Sequence, residues 1–92
     1  EKIIIGVEIM IKTVIKHDDE YYYDVIRRNL KRIRIEKKVT QDMLGEMTDL
    51  SRQYICDIEN KNRNKHITIS ALGRIADALD IPISKLFEDY WL

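Results

Sequence analysis

The sequence predicts an all-α protein of five helices behind a short N-terminal arm, and three observations predict it. Apolar residues recur at spacings of three and four from Asp18 onward, the period of a helix with one buried face. A Ser, Thr or Asp of the kind that caps helices precedes each recurrence. The 92 residues hold three Gly, one Pro and a single Cys, with 45% hydrophobic and 35% charged residues, which suits one packed domain and argues against a disordered tail. The domain is expected over residues 18–92 and the arm over residues 1–17.

In the arm, Val7, Ile9 and Ile11 alternate with Glu8, Met10 and Lys12 inside a β-branched stretch from Ile3 to Ile15, which is a strand pattern. A lone strand is marginal in water, so it would pair with something, most simply the same strand of a second chain. The other reading is that Met10 is the natural start and residues 1–9 are extraneous. From Asp18 to Lys38, Tyr22, Ile26, Leu30 and Ile33 form one helical stripe, with Asp18, Asp19 and Glu20 at the end where negative charge is favourable. Thr40 caps a second helix from Gln41 to about Thr48, with Met43, Leu44 and Met47 inward. Ser51 caps a third from Arg52 to about Asn60, with Ile55 and Ile58 sharing a face with Tyr54. Residues Asn60 to His66 lack apolar side chains and read as loop. Ser70 caps a fourth helix with Leu72, Ile75, Ala76 and Leu79 inward, ended before Pro82. Ser84 caps a short last helix carrying Leu86, Phe87, Tyr90 and Trp91.

Sixteen basic and sixteen acidic residues cancel over the chain, but not along it. Lys/Arg against Asp/Glu number three to five over residues 1–23, eleven to seven over 24–66 and two to four over 67–92. The positive clusters are Arg27, Arg28, Lys31, Arg32 and Arg34, then Lys61, Arg63 and Lys65. Screening limits a charge's reach to about 8 Å at physiological salt, so a local basic face on a neutral chain can still attract phosphates; a solvated helix face is the other reading. No apolar run approaches the ~20 residues that span a bilayer. The chain is therefore expected to be soluble and cytoplasmic, without a membrane partner. Cys56 has no partner for a disulfide and reads as a small packing residue. His17 and His66 lie far apart without the ligands of a metal site, and neither a Gly-rich phosphate loop nor a Ser-His-Asp set is visible. No catalytic residue, metal or cofactor is expected.

Gln41 to Asn60 puts two short helices around a tight turn. Leu44, Leu50, Ile55 and Ile58 supply the contacts that lock the pair, Gly45 leaves room for close approach, and Asp49 takes the left-handed position of the turn. Such a unit holds its second helix proud of the surface. That helix can enter a DNA major groove, about 12 Å wide, with its first residues toward base edges.

Over roughly Asn29 to Phe87 the sequence resembles the phage-repressor-like and Cro-like helix-turn-helix transcriptional regulators. The resemblance is carried by Ile33-Arg34, Thr40-Gln41, Leu44, Leu50-Ser51, Tyr54-Ile55, Ile58-Glu59-Asn60 and Leu72 with Ile75-Ala76-Asp77-Ala78-Leu79. Arg52, Tyr54-Ile55 and Arg63-Asn64 look most like the controller proteins of restriction-modification systems. Lys38 and Lys61 stand where that family usually has Gly, Asp49 where it often has Gly, Gly45 where Ala is usual and Thr48 where an apolar residue is common. Lys65-His66 resembles a small insertion. In a helix interior Gly45 should cost about 1 kcal/mol relative to Ala.

The resemblance implies a lambda-repressor-like domain and a sequence-specific DNA-binding regulator. Ser51, Arg52 and Gln53 open the reading helix, where Arg suits guanine and Gln suits adenine. Asp57, one turn on, could accept from cytosine or orient Arg52. Gln41 would donate to a phosphate at a helix N-terminus. Tyr54 would offer its hydroxyl to phosphate or pack its ring, and Asn60, Arg63 and Lys65 would clamp the backbone or remain solvated loop. Arg34 and Glu59 would form a structural ion pair joining the first helix to the end of the third. The expected partner is double-stranded DNA carrying a roughly palindromic operator, bound by a homodimer. The dimer contact is either the cluster Leu86, Phe87, Tyr90, Trp91 and Leu92 or the N-terminal strand. The alternative function is an antitoxin or other protein-interaction module, with DNA binding secondary.

Overall fold

Asp18 adopts extended backbone and accepts a hydrogen bond from the Tyr21 N–H at 3.0 Å, which opens α1, Asp19–Glu36. Thr40 does the same for the Met43 N–H and Ser51 for the Tyr54 N–H, at 3.0 and 2.9 Å, opening α2 (Gln41–Thr48) and α3 (Arg52–Glu59). These side-chain oxygens satisfy amides that the helix itself leaves without partners. α4 spans Ile69–Ala78, and a 3-10 turn, Ile83–Phe87, closes the domain. The computed structural model describes residues 16–61 and 67–89, and among them it contains these four α-helices, the 3-10 turn and no strand. The strand expected between Ile3 and Ile15 lies outside the described residues.

Two caps differ from expectation. Thr68, not Ser70, accepts from the Ala71 N–H at 3.0 Å, so α4 begins two residues early. Either start leaves Leu72, Ile75, Ala76 and Leu79 on the inner face, so apolar spacing alone does not choose between them. Ser84 caps nothing: the last element begins after Pro82 without a side-chain cap, and the Lys85 N–H reaches the Pro82 carbonyl at 3.0 Å in the tighter three-residue pattern.

The core is built from Ile26, Leu30 and Ile33 of α1, Leu44 of α2, Ile55 and Ile58 of α3, Leu72, Ile75 and Ala76 of α4, then Leu79 and Leu86. α2 packs on α3 and α4, whereas α1 packs on α3 and on the closing turn. Tyr22, Met43 and Met47, expected inward, are exposed. Leu44, Gly45 and Thr48 form the buried stripe of α2, which turns Met43 and Met47 about 100° away per residue, toward solvent. Thr48 tolerates this position because its hydroxyl donates to the Leu44 carbonyl at 2.6 Å.

Asn29 joins the two ends of the domain. It is fully buried, and its Nδ2 donates to the carbonyls of Leu86 and Glu88 at 3.0 and 2.7 Å. The closing turn is too short to be stable by itself, and these bonds, with Leu86 in the core, hold it against α1. The spacing Ile26, Asn29, Ile33 was the available signal, a polar residue on an otherwise apolar stripe.

Candidate nucleic-acid interface

The interface is set by how closely α2 and α3 approach. α2 ends at Asp49, whose φ of 58° and ψ of 25° lie in the left-handed region. Asp visits this region more readily than most residues with a side chain. The chain then returns through Leu50, whose N–H donates to Thr48 Oγ1 at 3.3 Å, to the Ser51 cap. Gly45 faces this return directly. A Cβ built there would lie 2.9 Å from the Arg52 nitrogen and 3.0 Å from the Leu50 carbonyl oxygen, both backbone atoms that cannot swing aside.

This contact reverses the sign of the helix-propensity expectation at residue 45. Gly45→Ala should gain about 1 kcal/mol from propensity, yet the clash with backbone should cost about 1–3 kcal/mol as overpacking. The expected outcome is a lower urea midpoint; a raised midpoint would show that the two helices separate freely here.

With its back anchored by Ile55 and Ile58, α3 exposes Ser51, Arg52 and Gln53 at its first turn. Arg52 Nε lies 3.6 Å from Asp42 Oδ1, and both side chains are well exposed, so this pair contributes little to stability. Gln53 Nε2 donates to Asp57 Oδ1 at 2.8 Å. Asp57 is only 7% exposed, so its carboxylate supports Gln53 and is drawn away from an outer edge. The carboxylate beside Arg52 is that of Asp42, which the sequence reading did not single out. Asp42 could have been noticed as the acidic residue in the first turn of α2.

Behind the exposed turn, Arg34 and Glu59 meet as a fork. Arg34 Nε and Nη2 reach Glu59 Oε2 and Oε1 at 2.7 and 2.9 Å, and Arg34 Nη1 donates to the Val39 carbonyl at 2.8 Å. Gln41 Nε2 also donates to Glu59 Oε1, at 3.0 Å. The Gln41 amide is therefore turned inward onto Glu59, tying the start of α2 to the end of α3. Tyr54 is half-buried and packs against the core cluster. Asn60 terminates α3, and its carbonyl accepts from Arg27 Nη1 at 3.4 Å. Arg63 and Lys65 lie outside the described residues.

Within the basic cluster of α1, Arg27 and Arg34 are buried. Arg27 is buried against Glu20 and Asp24, Arg28 pairs with Asp24 at 2.9 Å, and Arg32 with Glu36 at 3.4 Å. Arg28, Lys31, Lys37, Lys38, Arg52 and Lys61 are exposed. Lys38, Thr40, Gln41, Asp42 and Arg52 are among the residues lining an open cleft of about 580 Å³ beside the α3 N-terminus. Among the described residues no group of three or more His, Cys, Asp or Glu side chains could hold a metal ion. No described helix is long and apolar enough to cross a membrane.

Two short helices locked at a left-handed turn, the second exposing its polar N-terminal turn, define a helix-turn-helix unit. The helix-turn-helix family model matches residues 30–86, and the chain belongs to that family. It is 39% identical over 61 residues to the immunity repressor protein of Bacillus phage phi105, a match covering 66% of this chain and 41% of the repressor. It thus spans less than half of that relative's length. It is 33% identical over 63 residues to the control protein C.SmaI of Serratia marcescens, covering 68% of this chain and 73% of that protein. The crystal structure of the restriction-modification controller protein C.AhdI from Aeromonas hydrophila superposes with a TM-score of 0.69 at 28% identity, covering 77% of this chain and all of that one.

Proposed function

We propose that this chain is a sequence-specific DNA-binding transcriptional regulator that reads the major groove with α3. The observation that carries this reading is the exposed first turn of α3, bearing Ser51, Arg52 and Gln53, on a helix held from behind by Ile55 and Ile58. An Arg beside a Gln there suits the acceptor edge of guanine and the donor–acceptor edge of adenine. Gln41, Tyr54, Asn60, Arg63 and Lys65 follow the phosphate backbone on either side. At α2 the second amide hydrogen of Gln41 and the backbone N–H groups of the first turn serve that role while Glu59 holds the first. The relatives, a phage immunity repressor and a control protein, support a regulatory output.

Two copies would bind a roughly palindromic operator with half-sites about one helical turn, ~34 Å, apart. Leu86 is sealed in the core whereas Phe87 is exposed, so Phe87 is the described member of the C-terminal cluster available to a second chain. Tyr90, Trp91 and Leu92 lie outside the described residues. Deleting residues 1–15 and measuring mass in solution separates the two dimer surfaces, because unchanged dimerisation excludes the arm.

A gel-shift on the DNA flanking the chain's own coding region tests the function, with specific retention as the expected result. Arg52→Ala should weaken specific binding by about 1–3 kcal/mol and relax preference at one base pair, whereas Arg63→Ala should weaken all sequences alike and flatten the salt dependence. Equal loss on operator and random DNA with Arg52→Ala overturns the base-reading assignment.

A further inference from the structure

We infer that Asp57 is a positioning residue that decides which purine Gln53 reads, an inference that rests on α3 being the base-reading helix. A glutamine amide is nearly symmetric in shape but not in chemistry, with two N–H donors at one end and an acceptor at the other. Guanine presents two acceptors in the major groove, N7 and O6, whereas adenine presents the N7 acceptor and the N6 amino donor. A freely rotating amide can serve either base, and a fixed one discriminates.

The structure fixes it. Gln53 and Asp57 lie four residues apart on one face of α3, with Nε2 to Oδ1 at 2.8 Å. A carboxylate only accepts hydrogen bonds, so turning the amide over would set Gln53 Oε1 against an anion. Asp57 is 7% exposed, so its carboxylate holds the charge-assisted bond from the buried side while the Gln53 amide reaches the surface. One N–H and Oε1 of Gln53 remain for a base, a donor beside an acceptor, which matches adenine and mismatches guanine. Arg52 is constrained far less, since its Asp42 contact is longer and exposed on both sides.

The test uses the full chain and a randomised duplex pool, with bound duplexes recovered by gel-shift and sequenced. The unsubstituted chain should select adenine at one position of each half-site, and Gln53→Ala should flatten that position by about 5- to 150-fold. Asp57→Asn, which has the same shape but can face Gln53 with either group, should turn that adenine into mixed adenine and guanine, leave other positions intact and add nothing in the Gln53→Ala background. If its unfolding midpoint shows that Asp57→Asn does not fold, Asp57→Ser should give the same mixed selection. An unchanged adenine preference, or uniform weakening of all sequences in both backgrounds, overturns the positioning role. If Gln53→Ala alters no position, base reading by Gln53 fails and this role falls with it; a flattened Gln53→Ala profile beside an intact Asp57→Asn profile removes the positioning role alone.

Discussion

Glu59→Ala is expected to lower the unfolding free energy by about 3–5 kcal/mol, because it strips the partner from a buried guanidinium. The Glu59 side chain is 3% exposed and that of Arg34 10%. Glu59 accepts from Arg34 Nε, Arg34 Nη2 and Gln41 Nε2. Truncation leaves Arg34 with the Val39 carbonyl as a hydrogen-bond partner for Nη1 and removes the carboxylate from its Nε and Nη2 donors. A domain of this size has about 5–15 kcal/mol in total, so the variant should be partly or largely unfolded. Urea titration measures the loss, and a change below about 1 kcal/mol would contradict the account.

The pair itself adds little net stability, since desolvating two ions offsets most of their attraction. Replacing both together, as Arg34→Met with Glu59→Leu, should therefore return most of the stability lost in the single variant. What the double variant should not recover is specific DNA binding. The fork and the Gln41 bond fix α1, the start of α2 and the end of α3 in one orientation, and non-directional apolar contacts do not define that angle. Separate recovery of stability and of binding would show that this charge pair sets geometry.

The locking of α2 on α3 could be read from the residues themselves. Thr40 and Ser51 are strong caps, Leu44, Ile55 and Ile58 have nowhere to go but inward, and Asp49 is one of the few non-Gly residues at ease in a left-handed turn. What periodicity could not supply was any choice between equivalent registers. Met43 and Met47 are four apart, and so are Leu44 and Thr48, so the two Met were expected inward beside Leu44 and Thr48 was not. The outer stripe is apolar and the inner one contains a hydroxyl, an inversion permitted only because Thr48 bonds back to Leu44. The side-chain partners of Gln41 and Asn29 were likewise hidden, since each depends on where a backbone or charge from another element arrives in space. The charge count misled in the same way. Arg27 and Arg34 added to a basic total, but folding buries both and commits them to carboxylates, so neither is available to a phosphate.

The two stripes of α2 yield the second large effect. Leu44→Ala is expected to cost about 3–5 kcal/mol, the upper part of the range for buried Leu truncation, whereas Met47→Ala should stay within about 0.5 kcal/mol because its side chain is half in water. Leu44 is fully buried, and the backbone contact between Gly45 and Arg52 stands one residue away. That contact already holds the helices at their closest approach, so α2 cannot sink into the vacated space and the cavity persists. Sites that collapse lose less than sites that cannot, and this one is braced on the side from which collapse would come. Specific DNA affinity should fall with the folded fraction in Leu44→Ala and be retained in Met47→Ala, because only folded chains present Arg52 and Gln53 together. Equal losses for the two variants in urea titration would place Met47 in the core after all and rotate α2, and with it the whole approach of α2 to Arg52, away from the arrangement described.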